Sequence, residues 1–128
     1  MNKLIIDAAS EKIFLMIISN ASIYNITHEN TKINYEKLTI IINDFLSSKN
    51  IKITDINAIY INQGSGSFAG IRNSMSVVKA FNVAKNIDYY CYNLDDFKDE
   101  KDLSYENIPN LCKKYKIKKN LINPVYLS

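Results

Sequence analysis

Gln63-Gly64-Ser65-Gly66-Ser67-Phe68-Ala69-Gly70-Ile71-Arg72 holds all three glycines of this 128-residue chain. It lies between an apolar run at residues 58–61 and a run with helix-like apolar spacing at residues 71–85. Glycine adopts positive φ without steric cost, so concentrating every glycine on one strand-to-helix turn marks a loop with strict backbone demands. Two readings follow. In one, Gly64 and Gly66 supply left-handed backbone and Gly70 lets the helix approach the sheet closely. In the other, Ser65, Ser67 and the unpaired amides of the helix N-terminus cradle an anion. The stretch is not a Walker-type loop, because no Gly-Lys-Ser/Thr follows. Nor is it a dinucleotide fingerprint, because the glycine spacing differs and no acidic residue ends a second strand in the right place.

Working outward, residues 3–7, 12–18 and 21–26 read as successive strands with turns near Ser10 and Asn20, and their Ile and Leu runs suit a sheet covered on both faces. Residues 31–48 read as a helix, 58–62 as a strand, 70–86 as a second helix and 88–92 as a fifth strand. Ser104 is expected to cap a third helix running to about residue 116, and Pro109 fits it only if the helix starts later. At 100° steps, Tyr35, Leu38, Ile42, Phe45 and Leu46 share one face of the first helix, and Ile40 points away. On the second helix Val77, Val78, Phe81 and Ala84 form an apolar face, flanked by Ile71 and Met75, with Val83 largely opposite. A helix apolar on several sides is buried on more than one, here under the third helix or under another protein. Small Ser74, Ser76 and Ala80 permit close helix approach.

The length suits one compact core without disulfide or metal. Residues 1–97 are expected to form the main lobe, and residues 98–128 a C-terminal helix and tail packed on that lobe, one domain in all. The net charge of +3 is weak, and basic residues cluster only in Lys113-Lys114-Tyr115-Lys116-Ile117-Lys118-Lys119. That run reads as a solvated helix end, too short to define a dedicated RNA-binding surface. Cys91, Cys112 and the lone His28 share no metal-ligand spacing, so the thiols read as reduced and buried, and neither metal nor cofactor is expected. Asp7 ends the first strand, where it either caps the turn toward Ser10 or faces a phosphate. One carboxylate cannot supply both acid and base or build a two-metal site. The opening residues show neither a signal peptide nor a membrane span, and a cytoplasmic location is expected.

Gly64-Ser65-Gly66-Ser67-Phe68-Ala69-Gly70-Ile71-Arg72 resembles the G-P-G-S-F-T-G-[VIL]-R stretch of the bacterial tRNA threonylcarbamoyladenosine biosynthesis family TsaB, also called YeaZ. Leu4-Ile5-Ile6-Asp7-Ala8-Ala9-Ser10 is similar to that family's opening I-L-A-I-D-T-A-T, and Asn34-Tyr35-Glu36-Lys37-Leu38 stands where it tends to read H-S-E-R-L. Ile53-Thr54-Asp55-Ile56-Asn57-Ala58-Ile59 resembles its L-S-D-L-D-A-I approach to the glycine loop. Tyr105-Glu106-Asn107-Ile108-Pro109 and Pro124-Val125-Tyr126-Leu127-Ser128 resemble its last helix and closing P-V-Y-L-R. The middle of the usual protein, most of its second lobe, has no counterpart.

The resemblance implies an α/β fold: a single ribonuclease H-like lobe of the actin and Hsp70 ATPase type, with a mixed five-stranded sheet and helices on both faces. It implies a noncatalytic scaffold or activator subunit of the complex that makes threonylcarbamoyladenosine beside the tRNA anticodon. Docking would run through the first two helices to a TsaD-like catalytic subunit, or to a second copy of the chain in its absence. On this sequence the implied interface comprises Ile40, Ile41, Asp44, Arg72, Met75, Ser76, Lys79 and Val83. The family's ATPase, TsaE, is a further partner whose contact depends on the missing lobe, and tRNA is met indirectly through the complex. Asn34-Tyr35 for His-Ser, Ser65 for Pro, Ala69 for Thr and Ser128 for Arg depart from the family pattern. Asp7 is then a vestigial phosphate-facing residue. The alternative is a metal-dependent nuclease built on Asp7 with Asp95 or Asp96.

Overall fold

The computed structural model describes residues 1–126. Strands β1 (Asn2–Asp7), β2 (Lys12–Ile18) and β3 (Ile23–Glu29) form an antiparallel meander. Helices α1 (Lys32–Glu36) and α2 (Leu38–Ser48) then carry the chain over one face and deliver β4 (Ile56–Asn62) parallel to β1. After a short strand β5 (Gly64–Gly66), helix α3 (Phe68–Lys85) returns over the same face and delivers β6 (Asp88–Tyr92) parallel to β4. The sheet order is β3-β2-β1-β4-β6. Helix α4 (Ile108–Lys114) covers the opposite face, and β7 (Val125–Tyr126) pairs in parallel with β5.

Strand alternation divides the core in two. Leu4, Ile6, Ile13, Leu15, Ile59 and Ile61 point toward α2 and α3, where Leu38, Ile42, Phe45, Leu46, Ile71, Val78 and Phe81 meet them. Ile5, Met16, Tyr60 and Tyr92 point the other way, onto Phe97, Ile108, Leu111 and Cys112. Because β1 and β4 lie centrally and are covered on both faces, they read as near-continuous apolar runs.

Several expectations need correction. The third strand spans Ile23–Glu29, not residues 21–26, and is an edge strand with Ile23 half exposed, so cover on both faces does not extend to it. The first helix is two helices broken at Lys37, which lets Tyr35 lie at the start of α3 while Leu38 sinks into the core. The third helix does start later: a 3-10 turn at Tyr105–Asn107 precedes α4, Pro109 occupies the first helical turn where its missing N–H costs nothing, and Ser104 makes no side-chain cap. The buried stripe of α3 is Ile71, Ser74, Met75, Val78 and Phe81, with Ala84 exposed. Helix α4 lies across the sheet from α3, so it does not cover Val83.

Candidate functional site

The glycine loop is a clamp. A Cβ on Gly70 would stand 1.8 Å from the Ala8 carbonyl oxygen, one on Gly66 would stand 2.3 Å from that of Ala9, and one on Gly64 would stand 2.1 Å from that of Val125. Of the three glycines only Gly64 has positive φ, at 133°, so Gly66 does not supply the left-handed backbone expected of it and is required by close approach instead. The loop thus lies directly on the turn after β1 and on the C-terminal segment. Its polar groups serve the same end: the Gly64 N–H donates to Asn62 Oδ1 (2.9 Å), the Ser67 N–H to the Ala9 carbonyl (2.9 Å) and the Gly70 N–H to Ser67 Oγ (3.3 Å). Ser67 is therefore the N-cap of α3. Buried Gln63 fastens the tail: its Oε1 accepts from the Asn123 N–H and its backbone carbonyl from the Val125 N–H. Exposed Phe68 packs edge-on against Tyr126 and under the Arg72 guanidinium, and Ser65 is exposed. The close-packing reading accounts for these contacts; the anion cradle does not. Of the closing motif, Leu127 and Ser128 lie outside the described residues.

Asp7 is 6% exposed, and its oxygens are occupied. Oδ1 accepts from the Ala9 N–H (3.0 Å), the turn-capping role foreseen for it. Oδ2 accepts from Asn62 Nδ2 (3.2 Å) on the neighbouring strand and from the Tyr105 hydroxyl (2.7 Å). The Tyr105 ring stacks at 4.0 Å on Phe14, the β2 residue paired with Asp7, which aims its hydroxyl at the carboxylate. Burial first, then the charge of Asp7 and this hydrogen bond, push the Tyr105 phenol well above its ordinary range. Fully buried Tyr92 is pushed up likewise by burial and then by Asp7, and its hydroxyl has no partner among the described residues. Three neutral donors converge on one carboxylate and close it off from solvent. Asp96 accepts from the Asn93 N–H of its own 3-10 turn (3.0 Å), and Asp95 is exposed on that turn. Among the described residues no three His, Cys, Asp or Glu side chains are grouped to hold a metal.

Sequence reading found Asp7 but missed Asn62, Tyr92 and Tyr105. Asn62 was within reach: Ile6 pairs with Ile61, which puts Asp7 and Asn62 side by side at the strand ends. No local signal marks Tyr105. Cys91 and Cys112 are buried free thiols, both pushed by burial from 9.0 to about 12, where they stay protonated at neutral pH.

On the helical layer, Ile40 is 58% and Val83 79% exposed, and Asp44 on α2 and Arg72, Ser76 and Lys79 on α3 are exposed as well. Ile41 is half-buried against the core. Met75 is a correction: at 6% exposure it belongs to the core stripe that faces the sheet, so it is not available to a partner.

An antiparallel three-strand meander extended by two parallel strands, with helices on both faces, makes this a ribonuclease H-like lobe. Among solved structures, the chain is similar to YeaZ from Pseudomonas aeruginosa, with TM-score 0.66 and 17% identity over 72% of this chain and 43% of that one. A second structure from the same organism, described as an uncharacterized protein with similarity to peptidase YEAZ, matches equally. Thermus thermophilus RuvC in complex with a Holliday junction substrate matches with TM-score 0.55 and 9% identity over 96% of this chain and 83% of that one. The fold is YeaZ-like, and the chain aligns with less than half of the YeaZ chain, 43% of its length. No protein-family model matches the sequence, and no curated protein does. Among the described residues no helix is long and apolar enough to cross a membrane.

Proposed function

We propose that the chain is a noncatalytic, TsaB-like scaffold subunit of a cytoplasmic complex that makes threonylcarbamoyladenosine in tRNA. It docks through α2 and α3 to a TsaD-like catalytic subunit, and to a second copy of itself when that subunit is absent. The observation that carries this reading is the pair of large apolar residues, Ile40 and Val83, standing exposed on the helical face of a YeaZ-like lobe, with α4 on the other face. A partner that covers them removes apolar surface from water, and Asp44, Arg72, Ser76 and Lys79 supply a polar rim. Asp7 acts structurally, with its oxygens tied to Ala9, Asn62 and Tyr105.

Co-purification with the TsaD-like protein of the same organism tests the reading. Ile40→Asp with Val83→Asp changes two exposed side chains, so folding stays nearly intact while charge enters the interface, where unpaired burial costs several kcal/mol. Association should drop by orders of magnitude. A double variant that still assembles and still supports tRNA modification removes this surface from consideration. The nuclease alternative on Asp7, in keeping with the likeness to RuvC, is not favoured. Mg²⁺-dependent cleavage of nucleic acid that disappears in Asp7→Asn would reverse that preference.

A further inference from the structure

The face of the sheet opposite α2 and α3 carries a second feature. Lys3, Tyr60 and Tyr90 point from β1, β4 and β6 toward α4, and between them and the helix lies an open concavity of about 480 Å³. Its other wall is the end of α4 and the residues after it, including Asn110, Lys113 and Lys116. Tyr60 and Tyr90 are paired in register on adjacent parallel strands, and their rings stack with centroids 5.1 Å apart. Three lysines from chain segments more than a hundred residues apart thus line one cleft together with the stacked tyrosines, of which Tyr60 is buried and Tyr90 half-buried.

Two observations bear on this cleft. Lys12, Lys114 and Lys119 are ion-paired, to Glu29, Glu100 and Asp88, whereas Lys3, Lys113 and Lys116, like most lysines of the chain, pair with no carboxylate among the described residues, and these three are gathered around one concavity. Like charges held together without a counter-charge repel one another, and an anion between them relieves that repulsion. Second, four non-glycine residues have positive φ; three are asparagines, the usual substitute for glycine, and the fourth is Lys116 at 57°. It stands just past the end of α4, at the position where helices most often place glycine. A lysine there accepts backbone strain to bring its charge to the rim of the cleft.

We propose that this cleft binds a phosphorylated nucleotide unit, its phosphate held by Lys3, Lys113 and Lys116 and its base laid against the Tyr60–Tyr90 pair. The volume lies within the range of about 300–1,000 Å³ typical of small-molecule sites and exceeds what a bare inorganic anion fills. Aromatic rings accept any base by stacking, and ammonium groups take phosphate as point charges. Burial holds the Tyr60 phenol protonated up to about 12, so it adds no competing negative charge. The same chemistry comes from a free nucleotide or from an unpaired nucleotide of an RNA strand. The site is across the sheet from Ile40 and Val83 and independent of the docking proposal.

The test titrates the full chain with AMP, with a 3′-labelled unpaired ten-nucleotide RNA and with inorganic phosphate at low salt. Binding is read by calorimetry and anisotropy. Saturable binding should fall at least tenfold in Lys3→Gln/Lys113→Gln/Lys116→Gln and in Tyr90→Ala. For the RNA, the triple variant should also flatten the dependence of log affinity on log salt by about 2, from roughly 0.7 per lost contact. Lys32→Gln/Lys85→Gln/Lys98→Gln removes the same charge from elsewhere and should leave the affinity within about twofold. Lys116→Gly should weaken binding while raising the urea midpoint, since glycine relieves the strain. Binding of AMP identifies a free-nucleotide site, and binding of RNA alone identifies a strand contact; either supports the proposal. No saturable binding, equal loss in the control triple variant, or phosphate binding as tightly as AMP overturns it.

Discussion

Replacing Gly70 with alanine tests the claim that the glycine loop is a packing device. Alanine is the better helix former, so on propensity alone the change would stabilise α3 by about 1 kcal/mol. The contact acts in the other direction. The new Cβ would stand 1.8 Å from the Ala8 carbonyl oxygen and 2.9 Å from its carbon, where 3.0 Å is the floor for real Cβ contacts. Both are backbone atoms of the turn after β1, so no side chain can swing away, and α3 must withdraw by about 1 Å. Withdrawal breaks the Ser67 N–H bond to the Ala9 carbonyl, now 2.9 Å, at about 1 kcal/mol. It also loosens the packing of Ile71 and Ser74, which are fully buried one turn along, at a further 1–3 kcal/mol of the kind seen on overpacking. After subtracting the propensity gain, the net loss is about 1–3 kcal/mol, read as a lowered urea midpoint in far-UV circular dichroism. Ala69→Gly, at an exposed position one residue earlier, is the control and should cost no more than about 1 kcal/mol. Gly70→Ala melting at or above the parent would refute the clamp and return the loop to free variation.

Three further outcomes follow from the same structure. Tyr105→Phe keeps the stack on Phe14 but removes a donor to a buried carboxylate, and should lower unfolding free energy by about 1.5–3 kcal/mol in urea titrations. Asp7→Asn should cost more than Tyr105→Phe, because an amide cannot accept from all three donors; equal stabilities would show that Asp7 is not the hub. Raising the pH should unfold the chain. Cys91 and Cys112 titrate at about 12 in the fold against an ordinary 9.0, and Tyr60 at about 12 against 10.0. Groups with raised values give stability that is complete below the ordinary values and is lost as pH climbs through the folded ones, so each thiol contributes a loss of about 2–3 kcal/mol by pH 11. A unfolding midpoint that stays constant between pH 8 and 11 would contradict the burial of these thiols.

What could be read from sequence was whatever repeats along the chain. The five main strands were legible because Ile and Leu runs recur at strand length, and the inward face of α2 because Leu38, Ile42, Phe45 and Leu46 keep helical spacing. The face of α3 was misjudged in part because Val77 and Ala84 look as apolar as Ile71 and Met75, and only the position of the sheet decides between them. The break at Lys37 escaped because no proline or glycine marks it; Tyr35 and Leu38 impose it by packing in different places. The tiny β5–β7 pair was likewise invisible, since three residues and two carry no periodicity. Around Asp7 the turn cap was legible because its partner is two residues away, and the Tyr105 contact was not because its partner is 98 residues away.

Those separations give the Asp7 cluster a place in time. Its donors come from 2, 55 and 98 residues along the chain, so three loops of very different length must close before the carboxylate is fully enclosed. The entropy of closure grows with loop length, and the β1–β2–β3 meander, joined by short turns, has the least to overcome. On loop length the meander is expected to form first, β4 to dock beside β1 and bring Asn62, and Tyr105 to arrive last. Until then Asp7 would stand hydrated at the end of an unfinished sheet. Mutations at Tyr105 should accordingly speed unfolding and leave the folding rate almost untouched, whereas mutations in the β1–β2 pairing should slow folding itself.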